Sequence, residues 1–160
     1  MLWSAAPAAA LFNIIQGTAM HRVARAALIA AAVLFGTNAM SETIQMKIGE
    51  AVYPIELLEN DAARSLSSRL PLALQFEDFG STERIAYLNP KLSVGSSPMR
   101  TTPQTGDLAY YMPWGNLAAF VKPFRESEGL VPLGKMPPEA IRALKECRDA
   151  VVRFERTGSD

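Results

Sequence analysis

Two runs of β-forming residues, Leu108–Met112 (LAYYM) and Leu117–Val121 (LAAFV), flank the four residues Pro113-Trp114-Gly115-Asn116. This spacing constrains the fold more than any other feature. Parallel neighbours need a crossover of a dozen or more residues, so two strands joined this tightly must pair antiparallel as a hairpin. Gly115 or Asn116 can supply the positive φ that the turn needs. The same rhythm recurs along the chain. In Thr43–Leu57 (TIQMKIGEAVYPIEL), Ile44, Met46 and Ile48 alternate with polar residues, Gly49-Glu50 turns, and Val52, Ile55 and Leu57 return. Pro54 has no N–H to give a ladder and points to an edge or a bulge. Leu72, Leu74 and Phe76 alternate with Ala73, Gln75 and Glu77, the pattern of a half-buried strand. Gly80-Ser81 turns that strand, and Thr82–Leu88 runs back until Asn89-Pro90 breaks it. Gly129–Met136 (GLVPLGKM) is a further short strand.

Helical signals are fewer. Asn60 or Asp61 can cap a helix that carries Ala63, Leu66 and Leu70 on one face and stops at Pro71. A second helix is expected from Pro137 or Pro138 through Arg156. Proline suits its first turn, Glu139 complements its N-terminal dipole, and Ile141, Leu144, Cys147, Val151 and Phe154 form one stripe. Between Ser93 and Thr105 (SVGSSPMRTTPQT) no period exists, which predicts a long loop.

The N-terminus differs in kind. Residues 1–19 carry no charged side chain. From Met20, a plausible true start, Arg22 and Arg25 precede ten apolar residues, Ala26–Phe35, and then the small-residue sequence Thr37–Ala39. This is the layout of a secretory signal peptide. Its apolar run is shorter than the roughly 18 residues that suggest a spanning helix. The expectation is a leader over residues 1–39, cleavage after Ala39, and an exported domain over 40–160, periplasmic or secreted. Only an uncleaved leader would bring membrane contact.

Cleavage removes Arg22 and Arg25, taking the 16 basic side chains to 14 against 16 acidic ones. It also removes His21, the only histidine. A domain without imidazole has no Ser-His-Asp triad, no Cys-His dyad and no His-containing metal site. Cys147 is the only cysteine, so no internal disulfide can form. On the helical stripe it reads as a small buried hydrophobe rather than a nucleophile. With 49% hydrophobic residues the chain holds material for a single core. Balanced charge without a Lys/Arg cluster argues against nucleic acid as a partner. No phosphate-binding loop, dinucleotide fingerprint, nucleophile elbow or cysteine pair occurs, so no cofactor and no metal are expected.

Strands, turns at close intervals and short helices together predict a mainly β domain with helices, a small closed barrel capped by them, plus a C-terminal amphipathic helix. Tyr110 and Tyr111 point to opposite faces, one to the core, the other toward Tyr87 and Trp114. Trp114 has two readings: it folds over a barrel end as a structural cap, or it stands at a mouth where ligand binds. Glu77 and Asp78 also point apart, a poor acid pair for catalysis, and fit better as polar partners of Arg84 across the hairpin. Asp107, after Gly106, is expected to accept backbone N–H bonds.

Three segments, Leu70–Leu92, Thr105–Phe120 and Gly129–Met136, resemble the small bacterial cyclophilin-like proteins, which are distant from true peptidyl-prolyl isomerases. The resemblance runs from Ile44 to about Met136, and the Gly106-Asp107 pair with the Pro113–Asn116 turn is its most specific part. It implies a closed barrel with helices over its ends and a pocket on one face or at the mouth. The Phe-His-Arg and Phe-x-x-Gln-Gly-Gly segments of the isomerases are absent; the only Gln-Gly is Gln16-Gly17. A proline isomerase needs a donor aimed at the prolyl amide and an apolar bed around it. Arg84 or Arg100 could give the first, and Tyr87, Trp114 and Phe120 the second, but no catalytic residue transfers by position. The first expectation is therefore an exported, non-catalytic module that binds a peptide or small ligand through Arg84, Tyr87, Tyr111, Trp114, Asn116 and Phe120. The second is a weak peptidyl-prolyl isomerase. Ligand identity and oligomeric state are left open.

Overall fold

The alternating segments become strands where the pattern places them. The structure, a computed structural model, describes residues 41–148 and 150–158, so the expected leader lies outside the described residues. Among these are eleven strands and two helices: β1 Thr43–Ile48, β2 Ala51–Leu57, α1 Asp61–Ser67, β3 Leu72–Gln75, β4 Glu77–Phe79, β5 Glu83–Tyr87, β6 Arg100–Thr101, β7 Asp107–Tyr111, β8 Asn116–Phe120, β9 Ser127–Glu128, β10 Leu130–Lys135, α2 Pro138–Glu146 and β11 Val151–Arg156. Nine strands form one antiparallel sheet in the order β3-β11-β1-β2-β10-β7-β8-β5-β4, and β6 pairs with β9 separately. Pro54 sits opposite Gln45 on β1, while on its other side β10 pairs β2 only at Glu56 and Leu57. The missing N–H therefore interrupts no ladder. Pro132 lies at the register shift of β10, the other location that tolerates proline in a sheet.

The first core lies on one face of this sheet. Ile44, Met46, Ile55, Leu57, Leu108, Tyr110, Leu117, Leu133, Val152 and Phe154 are buried there together with Leu66 of α1 and Ile141 and Leu144 of α2. Tyr110 is fully buried, and its hydroxyl accepts a hydrogen bond from Leu92 N at 3.1 Å. Asn60 caps α1 by accepting from Ala63 N at 2.9 Å, and its amide donates to Pro132 O at 2.8 Å, tying the helix to β10. The expected loop from Ser93 to Thr105 is more ordered than its composition suggests. It contains β6, and its Ser96-Ser97 pair docks on the start of α1. Ser96 donates from N and Oγ to Asp61 Oδ2 at 2.7 Å each, and Ser97 Oγ accepts from Ala62 N at 2.8 Å. Gly95 allows the approach: it has φ +47, and a Cβ there would lie 2.4 Å from Asp61 Oδ2.

One expectation is corrected. The second helix ends at Glu146, and Val151–Arg156 forms β11, inserted between β3 and β1. In that strand Val152 and Phe154 are buried, whereas Val151, which the helical stripe would bury, is half exposed. Alternation in Val-Val-Arg-Phe-Glu-Arg, rewarded by two ladders, overrides the helical period of the preceding residues. Cys147 consequently lies at the end of α2, partly buried and packed against the core rather than within a helical stripe. The expected closed barrel does not take the form of continuous pairing among the described residues. Among the described residues no ladder joins β3 to β4, which stand at the two edges of the sheet. These edge strands are nevertheless consecutive in the chain, separated by Phe76 alone.

One buried guanidinium holds this junction. Arg84 on β5 is 3% exposed. Its Nη2 donates to Phe76 O at 2.7 Å, and Nη1 donates to Leu144 O and Cys147 O. Nε lies 3.1 Å from Asp78 Oδ1, within charge-pairing range but off the axis of a hydrogen bond. The Leu144 and Cys147 carbonyls belong to the end of α2, where a helix leaves carbonyls without intrahelical partners and where its dipole favours a cation. Asp78 meets Arg84 in register across the β4–β5 hairpin, as the sequence suggests.

Replacing Arg84 with leucine leaves three carbonyls without their donor. The expected loss, read by urea unfolding, is about 3–5 kcal/mol, as for other broken buried charge networks; a loss below about 1 kcal/mol would contradict the role assigned to Arg84. Asp61 offers a separate check. Hydrogen bonds from Ser96 N and Oγ, with Arg64 beside it, lower its pKa from 3.8 to about 2. A depressed carboxyl pKa means that the contact is complete above the ordinary value and is lost as pH falls through about 2. The Ser96 amide resonance should titrate with that midpoint, and Asp61→Asn should abolish the titration.

A candidate groove on the outer face

The opposite face of the β5-β8-β7 region is built from the residues that alternate with the core set. Register pairs Ile85 with Ala118 and Ala118 with Ala109, and these pack with Phe120 and Leu130 in a second apolar cluster bordered by Tyr111 and Phe124. All five residues of β8 are buried, because it has apolar neighbours on both faces. Ala109 and Ala118 are small, so larger side chains around them stand as walls. The result is a groove of about 450 Å³, lined by Phe79, Glu83, Ile85, Tyr111, Trp114, Asn116, Phe120, Phe124, Arg125, Glu126, Ser127, Glu128 and Leu130.

Trp114 stands over this groove. Its ring meets Tyr111 and Phe79 edge-on, both at 5.4 Å between centroids, with interplanar angles of 82° and 80°. Phe79 is opposite Glu83, at the end of β5 away from the turn that carries Trp114, so the indole reaches back across the face of the sheet. Gly115 has φ +76, and a Cβ there would come within 2.8 Å of the Lys91 side chain, whose Nζ donates to Pro113 O at 2.8 Å. The Lys91 side chain thus lies against the turn that carries Trp114. Trp114 is 49% exposed and does not cap the first core.

Two polar groups in the groove lack partners. Asn116 is 1% exposed. Its Nδ2 donates to Leu117 O at 3.1 Å, which orients the amide, and its Oδ1 is buried without a hydrogen bond. Glu83, half-buried, meets no cation among the described residues, and burial raises its pKa. Arg125 sits at the rim with its guanidinium 5.2 Å from the Phe124 ring centroid.

The residues singled out from the sequence divide between two places. Tyr111, Trp114, Asn116 and Phe120 come together in the groove. Arg84 and Tyr87 line a separate polar cleft of about 520 Å³ with Gln75, Glu77, Asp78 and Arg148, and the donors of Arg84 are turned to the carbonyls already described. The rings that meet Trp114 are thus Tyr111 and Phe79, not Tyr87. Arg100 is exposed and bonded to Glu126 at 3.3 Å and to Glu128. Asp107 accepts from Gln104 N at 2.7 Å, as its position after Gly106 suggests. Sequence reasoning missed Phe79, Glu83, Phe124 and Arg125. Phe79 could have been found, since it falls on the polar parity of Leu72–Phe79, where a large ring needs an explanation. Among the described residues no group of three His, Cys, Asp or Glu side chains could hold a metal ion.

The family model described as the cyclophilin-like family matches residues 46–155. The chain belongs to the cyclophilin-like family. The match continues through α2 and nearly all of β11, beyond the Met136 limit of the sequence resemblance. A hypothetical protein of Archaeoglobus fulgidus, AF2241, has a solution structure similar to this one, with a TM-score of 0.56 and 19% identity over 76% of this chain and 99% of that one. At that identity the likeness concerns the fold alone. No curated protein matches the sequence. The mainly β architecture with two helices is that of a cyclophilin-like domain.

Trp114 and Phe120 should separate in unfolding experiments. Trp114→Ala removes two aromatic edge contacts from a half-exposed ring and should cost about 1 kcal/mol. Phe120→Ala empties a buried site of the second cluster and should cost about 3–5 kcal/mol. Equal losses would place Trp114 in a load-carrying core after all.

Proposed function

We propose that this cyclophilin-like domain is an exported binding module that holds a peptide or small ligand in the outer groove and performs no chemistry on it. The observation that carries the reading is the buried, unpartnered Oδ1 of Asn116 in a groove walled by exposed aromatic side chains. An acceptor without a donor costs roughly 1–3 kcal/mol, so a protein gains by keeping one where a ligand supplies the donor. Aromatic residues such as Trp114 and Tyr111 give large contact area at low entropic cost, the usual anchors of a binding surface. Export rests on the order of charge, apolar run and small residues over 20–39. The barrel closes, in this reading, through the Leu72–Phe79 segment, whose halves form the two sheet edges and meet at Phe76.

A weak peptidyl-prolyl isomerase is the second reading, favoured by one feature, the Arg125 guanidinium beside the aromatic groove. Arg84 has its donors engaged with carbonyls. Magnetisation-transfer measurements on an Ala-Pro peptide decide between the two. Binding without faster cis-trans exchange supports the module, and exchange that disappears in Arg125→Ala supports the isomerase.

Native mass spectrometry of the exported domain should show a co-purifying adduct that Trp114→Ala loses. Loss of an aromatic anchor of about 2 kcal/mol corresponds to roughly thirtyfold in affinity. The same spectra should give a mass that begins after Ala39; material retaining Ala26–Phe35 would overturn cleavage.

A further inference from the structure

Resting on the groove as a binding site, its unpaired groups indicate the chemistry of the occupant. Both are acceptors. The Leu117 carbonyl takes the Nδ2 of Asn116, so the oxygen, not the nitrogen, is the atom left over. Glu83 lines the same groove on the same face of the β5–β8 ladder, because Glu83 pairs with Phe120 and Tyr87 with Asn116. The two acceptors therefore occupy opposite ends of the trough, four ladder positions apart, or about 13 Å between backbones at ~3.3 Å per residue. Side chains reaching inward shorten the span that a ligand must bridge. Between them lies Ile85, with Phe79 beside Glu83, Tyr111 beside Asn116, and the Trp114 ring meeting both aromatic rings.

Charge points the same way. The lining holds three carboxylates, Glu83, Glu126 and Glu128, against the single guanidinium of Arg125. Arg100 bonds to Glu126 and Glu128. Glu83 is the carboxylate without a cation among the described residues, and partial burial makes its charged form costly until one arrives. Aromatic faces nearby also attract cations.

We propose that the groove selects a small molecule with an apolar, planar body, a primary ammonium at one end received by Glu83, and an N–H donor at the other received by Asn116 Oδ1. Arylalkylamines have this form. An anion would meet Glu83 unfavourably, and a neutral alcohol would leave it without a counter-charge.

The test uses the purified domain and four matched probes, tryptamine, tryptophol, indole-3-acetate and 1-methyltryptamine, with affinities read by calorimetry and by shifts of the Trp114 indole resonance. Tryptamine should bind at least tenfold more tightly than tryptophol, and indole-3-acetate should not bind. Methylating the indole nitrogen should weaken binding severalfold, because Asn116 Oδ1 then has no donor. Glu83→Gln is isosteric at a partly exposed position, so it should fold. It should erase the preference for tryptamine over tryptophol while leaving tryptophol binding unchanged. Equal binding of amine and alcohol, or preference for the acid, would overturn the charge assignment while leaving the groove a binding site. If none of the four binds, the proposal fails; whether the wider binding reading also fails is then decided by the absence of a Trp114-dependent adduct in native spectra.

Discussion

The guanidinium of Arg84 is the interaction on which the arrangement of elements depends. It lies where three separate pieces of chain converge: the Phe76 step between the two sheet edges, the end of α2, and the β4–β5 hairpin. Each piece arrives with a carbonyl or carboxylate that its own secondary structure cannot satisfy. A planar cation with five donors can serve several at once, which a lysine could not do with the same geometry. The cost of burying that charge is offset by the carbonyls that receive Nη1 and Nη2 and by the Asp78 carboxylate beside Nε. Secondary structure could form without it, but the helix end and the crossing segment would have no common anchor.

The two faces of the sheet divide the work between stability and recognition. The first face, closed by α1 and α2, contains the large aliphatic side chains and Tyr110 with its hydroxyl satisfied. The second uses alanines at its centre and rings at its margin, a surface that packs without filling the space above it. β8 belongs to both, which explains why Asn116–Phe120 has no exposed residue and why its one polar side chain is left with an idle oxygen. The Trp114 turn is held by Lys91 and by the glycine that lets it approach. A well-fixed aromatic over a trough loses little freedom when something enters beneath it.

Hairpins were legible because a period of two and a short link leave no other pairing. That Tyr110 and Tyr111 point to opposite faces follows from parity, and that the Glu77-Asp78 pair meets Arg84 follows from the hairpin between them. β11 was not legible as a strand. Ile141, Leu144 and Cys147 continue at helical spacing into Val151 and Phe154, and the alternation of Val152 and Phe154 becomes decisive only when β1 and β3 are present on either side. The carbonyls that take up the donors of Arg84 were not legible for a related reason: a lone arginine in a strand carries no mark of the helix end it will meet. The groove was half legible. Residues on the Trp114 hairpin were found because the turn itself draws notice, whereas Phe79, Glu83, Phe124 and Arg125 come from strands and a loop that only the folded sheet brings alongside.

The position of β11 also sets the order in which this fold can be completed. The last strand is not an edge addition; it sits between β3 and β1, pairing with both. A chain stopped after α2 would expose the unpaired backbone of β1 and β3 and the floor beneath Phe76, whose ring packs 6.2 Å from that of Phe154. The first strand must therefore wait for the last before the sheet is continuous, a contact that spans nearly the whole described sequence. Such distant pairing slows folding and makes it a property of the finished chain rather than of any growing portion.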